Sequence, residues 1–224
     1  MKKVFLTGLF IAAMSVCPNE SFGQISPKEW SEHFKQVAGT PEYAGVDAVT
    51  LDENGEILFG LEIPLGGEKK EDISKKAKLI LKNSLKKYVD EYIIEDELND
   101  SGELMTQATA NTRFSNKVAA FINHIKIKFK IGVLAADGHL TVILNDFQSS
   151  TSSEIGGQGG GSLDDLKPMI VTGKYAVNKK NTKVLNNIIG YQRVGVIDLK
   201  NDIFKVFNEK IKLSVSDLDK EEQW

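Results

Sequence analysis

His124-HIKIKFKIGVLAADGHLTVILNDF-Phe147 decides how this chain is read. Asp137-Gly138 is the preferred pair for a two-residue hairpin turn, in which both central residues take positive φ. That turn sets Ala136 opposite His139 and fixes the register outward. Ala135 then faces Leu140, Val133 faces Val142, and Ile131 faces Leu144. Side chains alternate along a strand, so these six share one side of the sheet. Ile127 and Phe129 continue it. Lys126, Lys128 and Lys130 point the other way, with Thr141 and Asn145. Ile143 and Phe147 interrupt that second face, which is therefore not purely polar.

The elements around the hairpin follow from local chemistry. Ser26-Pro27-Lys28-Glu29 is a helix start, with Ser as cap, Pro in the first turn and Glu in the capping-box position. Trp30 and Phe34 share one face of that helix, and Gly39 ends it. A turn at Glu53-Asn54-Gly55 leads into a strand, ILFGLEIPL, from Ile57 to Leu65. Ile73, Ala77, Ile80, Leu81, Leu85 and Tyr88 then recur at helical spacing, opposite a lysine-rich side. Strands at Tyr92–Glu97 and Leu104–Phe114 are joined by Asn99-Asp100-Ser101-Gly102. After the hairpin, Ser149, Ser150, Ser152 and Ser153 read as loop. IGGQGGGS, Ile155–Ser162, reads as a flexible linker or mobile loop. A phosphate-binding loop would need a Gly-Lys-Ser/Thr ending, which is missing. From Asn181 to Asp217 the pattern is helical. Leu185, Ile188, Ile189, Val196, Leu199, Ile203, Phe207 and Ile211 form a stripe that Gly190 and Gly195 weaken and could divide.

The N-terminal segment reads as an export signal. Lys2 and Lys3 precede an apolar run, Val4–Val16, too short to span a bilayer comfortably. Ser21-Phe22-Gly23 offers small residues for cleavage before Gln24. A lipidated Cys17 is the alternative, with Val16 a poor fit before it. The expected division is 1–23 signal peptide, 24–58 N-terminal helix and lead-in strand, and 59–150 α+β core. A Gly-rich loop at 151–165 and a C-terminal helical segment at 166–224 follow. Cys17 is the only cysteine, so the mature chain has no disulfide and no thiol nucleophile. About 200 residues suffice without one, burying roughly 70% of the unfolded surface. With 28 basic and 31 acidic residues, net charge −3, the chain is a poor candidate for nucleic-acid binding, whose affinity rests on phosphate contacts.

The motifs exclude more than they assign. His33, His124 and His139 lie at no metal-ligating spacing, so no metal or cofactor is expected. No GxSxG elbow is present. Asp52–Glu56 and Asp100–Glu103 lack the twelve-residue calcium pattern and read as turns. Asp90, Glu91, Glu95, Asp96, Glu97 and Asp100 could supply a carboxylate pair, but a solvated edge strand accounts for them as well.

The pattern of FGLEIPL, ISKKAKLILKNSLKKYV, the Asn99–Glu103 turn and IKIKFKIGVLAADGHLTVILNDF, with a late helix, resembles the secreted bacterial domain of unknown function 4468, which has a TATA-binding-protein-like fold. The resemblance covers about Phe59–Phe147 plus a C-terminal helix. A long Asn111–Asn123 stretch and the Gly156–Gly161 run depart from it. It implies an α+β fold, a curved antiparallel sheet with helices packed on one face, and an exported location. It implies no activity, and fold alone transfers none.

Three functional readings follow. The first is a non-catalytic exported domain that binds another envelope or secreted protein, or an extracellular ligand, through Lys126, Lys128, Lys130 and Phe147 on the open sheet face. The second is an assembly protein docking through an exposed C-terminal stripe. The third is a hydrolase using carboxylates of the Asp90–Asp100 region. No catalytic residue is singled out.

Overall fold

In the computed structural model the described residues are 26–118, 121–153, 170 and 182–220. The signal segment and the Gly156–Gly161 run lie outside them. Helix α1 (Pro27–Val37) starts on the expected capping box: Ser26 Oγ accepts from Glu29 N, and the Glu29 carboxylate accepts from Ser26 N at 2.9 Å. A short α2 (Pro41–Ala44) and a 3-10 turn (Val46–Ala48) follow. Then come β1 (Phe59–Pro64), α3 (Lys70–Leu79) running into a π turn (Ile80–Ser84), and β2 (Val89–Leu98). The long strands β3 (Leu104–Val118), β4 (Phe121–Ala136) and β5 (His139–Ser153) precede α4 (Thr182–Lys210) and α5 (Val215–Lys220).

The five strands form one antiparallel sheet in the order β1-β5-β4-β3-β2. The register read from the turn holds: Ala136 pairs with His139, Ala135 with Leu140, Val133 with Val142 and Ile131 with Leu144. The turn itself differs from expectation. Gly138 takes positive φ, 82°, while Asp137 does not, so this is not the doubly positive type. Two contacts explain the choice. The Asp137 carboxylate accepts from Lys70 N at 2.9 Å, serving an otherwise unpaired donor at the start of α3. Gly66 carbonyl oxygen approaches Gly138 so closely that a Cβ would sit 2.5 Å from it.

One face of the sheet is the core. Ile125, Ile127, Phe129, Ile131, Val133 and Ala135 of β4 are buried with Leu140, Val142 and Leu144 of β5. The α3 stripe covers them as expected, Ile73, Ala77, Ile80, Leu81, Leu85 and Tyr88 all being buried. From α4, Ile189, Val196, Leu199, Ile203, Phe207 and Ile211 are buried too. Leu185 and Ile188 have side chains outside the described residues.

Three expectations are corrected. Gly190 and Gly195 do not divide the C-terminal helix, which runs unbroken from Thr182 to Lys210. Its middle is buried on every side from Tyr191 to Leu199, so packing holds it helical despite two residues of poor helix propensity. A Cβ on Gly190 would meet the Phe34 ring at 3.0 Å, so the glycine makes room for α1. Most of the Asn111–Asn123 stretch is strand, with β3 and β4 paired from Leu104↔Ala135 to Val118↔Phe121. The serines after Phe147 are also strand. Ser149 is buried and accepts from Gln192 Nε2 at 3.0 Å.

Candidate functional site

The face turned away from the helices carries the predicted lysines. Lys126, Lys128 and Lys130 are all exposed on β4. Pairing places Arg113 of β3, also exposed, directly beside Lys126. The Lys130 ammonium lies 2.9 Å from the Asp146 carboxylate and holds that carboxyl below its usual range. Arg113, Lys126 and Lys128 have no ion-pair partner among the described residues. Beyond Lys130 the same row continues through Gly132, Leu134 and Ala136. Met105 pairs with Leu134 and Ile143 with Gly132, all half-buried. The open face is thus cationic at one end and mixed at the other, where Leu134, Met105 and Ile143 stand among Gln107, Thr141 and Glu62.

Phe147 is not on it. This is a correction: the ring is 5% exposed, in the core. It stacks on Phe129 with centroids 5.5 Å apart and meets Phe59 edge-on at 5.7 Å. The cause is a β-bulge. Lys128 pairs with Gln148 but Lys130 with Asn145, so Asp146 and Phe147 together oppose Phe129. One extra residue inverts the alternation beyond it. Asp146 provides the bulge, with φ 52°, a left-handed conformation that Asp tolerates better than most residues. Its salt bridge to Lys130 fastens it there.

A second charged cluster lies beneath the sheet, in the buried middle of α4, and no sequence motif pointed to it. Asp198 is 5% exposed. It accepts from the Tyr43 hydroxyl of α2 at 2.5 Å and pairs with His33 Nε2 of α1 at 2.9 Å. One turn on, Asp202 accepts from the Tyr88 hydroxyl at 2.9 Å. Burial pushes both phenols and the Asp202 carboxyl above their ordinary values, while the Asp198 hydrogen bond raises that of His33. Arg193 donates to three carbonyl oxygens: Tyr43 at 2.6 Å, Gly45 at 2.6 Å and Ile170 at 2.5 Å.

A His–Asp pair invites an acid–base reading. Here its geometry fits a clasp better. His33 gives Nε2 to Asp198, and its ring packs against Trp30 at 5.3 Å and Tyr43 at 6.5 Å between centroids. Asp198 and Arg193 tie the N-terminal elements to α4. Among the described residues no group of His, Asp or Glu is arranged to hold a metal ion. His139 lies 3.6 Å from Glu103. The two segments read as turns are turns: Asp52 Oδ1 accepts from Asn54 N and Glu56 N, and Asn99 Oδ1 from Ser101 N and Glu103 N. The acidic residues from Asp90 to Glu97 lie on β2, and their side chains are outside the described residues. The exposed-stripe reading of the C-terminal helix is corrected. From Ile189 to Ile211 its stripe is already packed against the rest of the core, so no bare stripe is present among the described residues.

An open antiparallel sheet with helices on one face, in the order strand, helix, four strands, helix, is an α+β domain of the TBP-like class. Residues 59–150 match the family described as a domain of unknown function (DUF4468) with TBP-like fold. A solved DUF4468 family protein from Bacteroides ovatus aligns with a TM-score of 0.55 and 18% identity, over 78% of this chain and 96% of that one. A TBP-like protein from Parabacteroides distasonis aligns with a TM-score of 0.44 and 13% identity, over 71% and 97%. No curated protein matches. At 18% identity the likeness to the Bacteroides ovatus protein speaks for the fold alone. No described helix is long and apolar enough to cross a membrane.

Proposed function

We propose that this is an exported, non-catalytic binding domain that engages another envelope or secreted protein through the open sheet face. One observation carries the reading: Arg113, Lys126 and Lys128 stand together, exposed, on a face that no described helix covers. Solvated lysines are ordinary on a one-sided sheet. Three adjacent cations, none of them in an ion pair among the described residues and only Lys128 close enough to act on a described carboxylate, that of Asp146, are less so, because each raises the cost of charging the next. Export rests on the Lys2–Gly23 pattern, whose charged start, apolar run and small residues suit signal-peptide cleavage.

The test is capture of partners from envelope and secreted fractions of the native host by the tagged full-length chain as the host processes it. A Lys126→Ser/Lys128→Ser/Lys130→Ser variant runs alongside. Loss of a specific partner in the variant supports the reading. Identical captures from both proteins end it. N-terminal sequencing of the secreted material reads the export claim separately.

A further inference from the structure

The open face has more character than its charge, and resting on the reading above it narrows the occupant. Along β4 the outward positions read Lys126, Lys128, Lys130, Gly132, Leu134, Ala136. They repeat every two residues, about 6.6 Å, the same repeat as alternate side chains of any extended peptide. The cationic half is widened by Arg113, and the half that holds the aliphatic side chains by Met105 and Ile143, with Gln107, Thr141 and Glu62 as its polar members. Gly132 sits at the border, where a Cβ would meet only Ile143 Cβ and backbone, at 3.7 Å and beyond. It leaves a shallow trough between Lys130 and Leu134. With Phe147 in the core, the described open-face residues include no aromatic ring. Nucleobases and sugars would want such a ring to stack on. A flat anionic surface would leave the aliphatic half unused. We infer that the face accepts an extended segment of a partner protein, acidic where it crosses Arg113, Lys126 and Lys128 and aliphatic where it crosses Gly132, Leu134 and Ile143.

The probe is a random-dodecamer phage library selected on the purified chain. Heparin and vesicles containing anionic lipid are tested in parallel. Selected peptides should carry Asp or Glu at alternating positions followed by Val, Ile or Leu. They should bind Lys126→Glu/Lys128→Glu about tenfold more weakly and lose affinity in high salt. Gly132→Val fills the trough without changing charge or crowding the core, and should weaken the same peptides. Selected peptides with no acidic enrichment, or equal binding to all variants, overturn the inference. So does capture of heparin or vesicles in place of peptides. If the lysine variant still loses its partner from host fractions, the binding face survives and only its occupant is wrong. If that capture is unchanged too, both readings fall together.

Discussion

Two charged regions lie on opposite sides of one sheet, and they obey different rules. Lys126, Lys128 and Lys130 stand in water on β4, where among the described residues only Lys130 of the three forms an ion pair, with Asp146 at 2.9 Å. Arg193 and Asp198 are each 5% exposed and spend themselves on named partners from α1, α2 and Ile170. In water a charge can stand alone at little cost. Out of water it must be satisfied, and removing one partner strands the other. The outward charges are therefore free to serve a partner, whereas the inward ones are committed to holding the N-terminal elements against α4.

Breaking the inward set should have the largest consequence. Arg193→Ala removes the guanidinium donor from the carbonyl oxygens of Tyr43, Gly45 and Ile170. We expect a loss of about 4 kcal/mol in denaturant unfolding. A loss under about 1 kcal/mol would mean that water replaces the guanidinium, and that this region is wetter than its burial implies.

Phe147→Ala probes the boundary between the two regions. It removes a ring packed between Phe129 and Phe59, and about 3 kcal/mol should go with it. If Phe147 were on the open face instead, stability would barely change and the bulge at Asp146 would be in doubt.

Asp198→Ala should follow at about 2 kcal/mol, for the buried hydrogen bonds to Tyr43 and His33 that it removes. It also carries a signature in pH. His33 has its pKa raised above 6.5, chiefly by the hydrogen bond to Asp198. A raised folded value means that protonated His33 stabilises the fold. That contribution is full below the ordinary value and is lost as pH rises through the folded one. Thermal melts from pH 5 to 9 should therefore show a midpoint falling through the neutral range in the parent and flat there in Asp198→Ala. Asp202 is raised as well, by burial, but for a carboxyl that means its ionisation in the fold costs stability, and Asp198→Ala leaves its hydrogen bond to Tyr88 in place. A parent profile as flat as the variant's would show that His33 titrates alike in the folded and unfolded states and gains nothing from Asp198.

The fold was legible because its signals are local and repeated. The Asp137-Gly138 turn and the alternation from Ile125 to Leu144 leave one workable register, and the Ile73–Tyr88 spacing leaves one helix face. The bulge was harder. Its signal was present in Asn145-Asp146, two residues that accept left-handed φ, set just before an aromatic out of phase. Alternation continued by rote puts Phe147 on the wrong side. The buried clasp was not legible at all. His33, Tyr43, Arg193 and Asp198 come from three helices, and their separations in sequence reach 165 residues. Nothing local marks Arg193 or Asp198 as inward, since charged residues between the apolar positions of a helical stripe ordinarily face water. Only the all-round burial of α4 turns them in.

The smallest effect on stability should come from the lysines themselves, and that smallness is what makes them worth testing. Lys126→Ser/Lys128→Ser removes two exposed ammonium groups that have no ion-pair partner among the described residues, so unfolding free energy should move by less than about 0.5 kcal/mol. The change could even be stabilising, because Arg113 and Lys130 would lose like-charged neighbours. Equilibrium unfolding beside partner capture separates the two meanings of the row. A variant as stable as the parent that no longer captures a partner places these charges in recognition. A variant that loses 2 kcal/mol or more would show instead that the lysine stems are covering the sheet beneath them, and the contrast between an outward face built for a partner and an inward one built for the fold would fail.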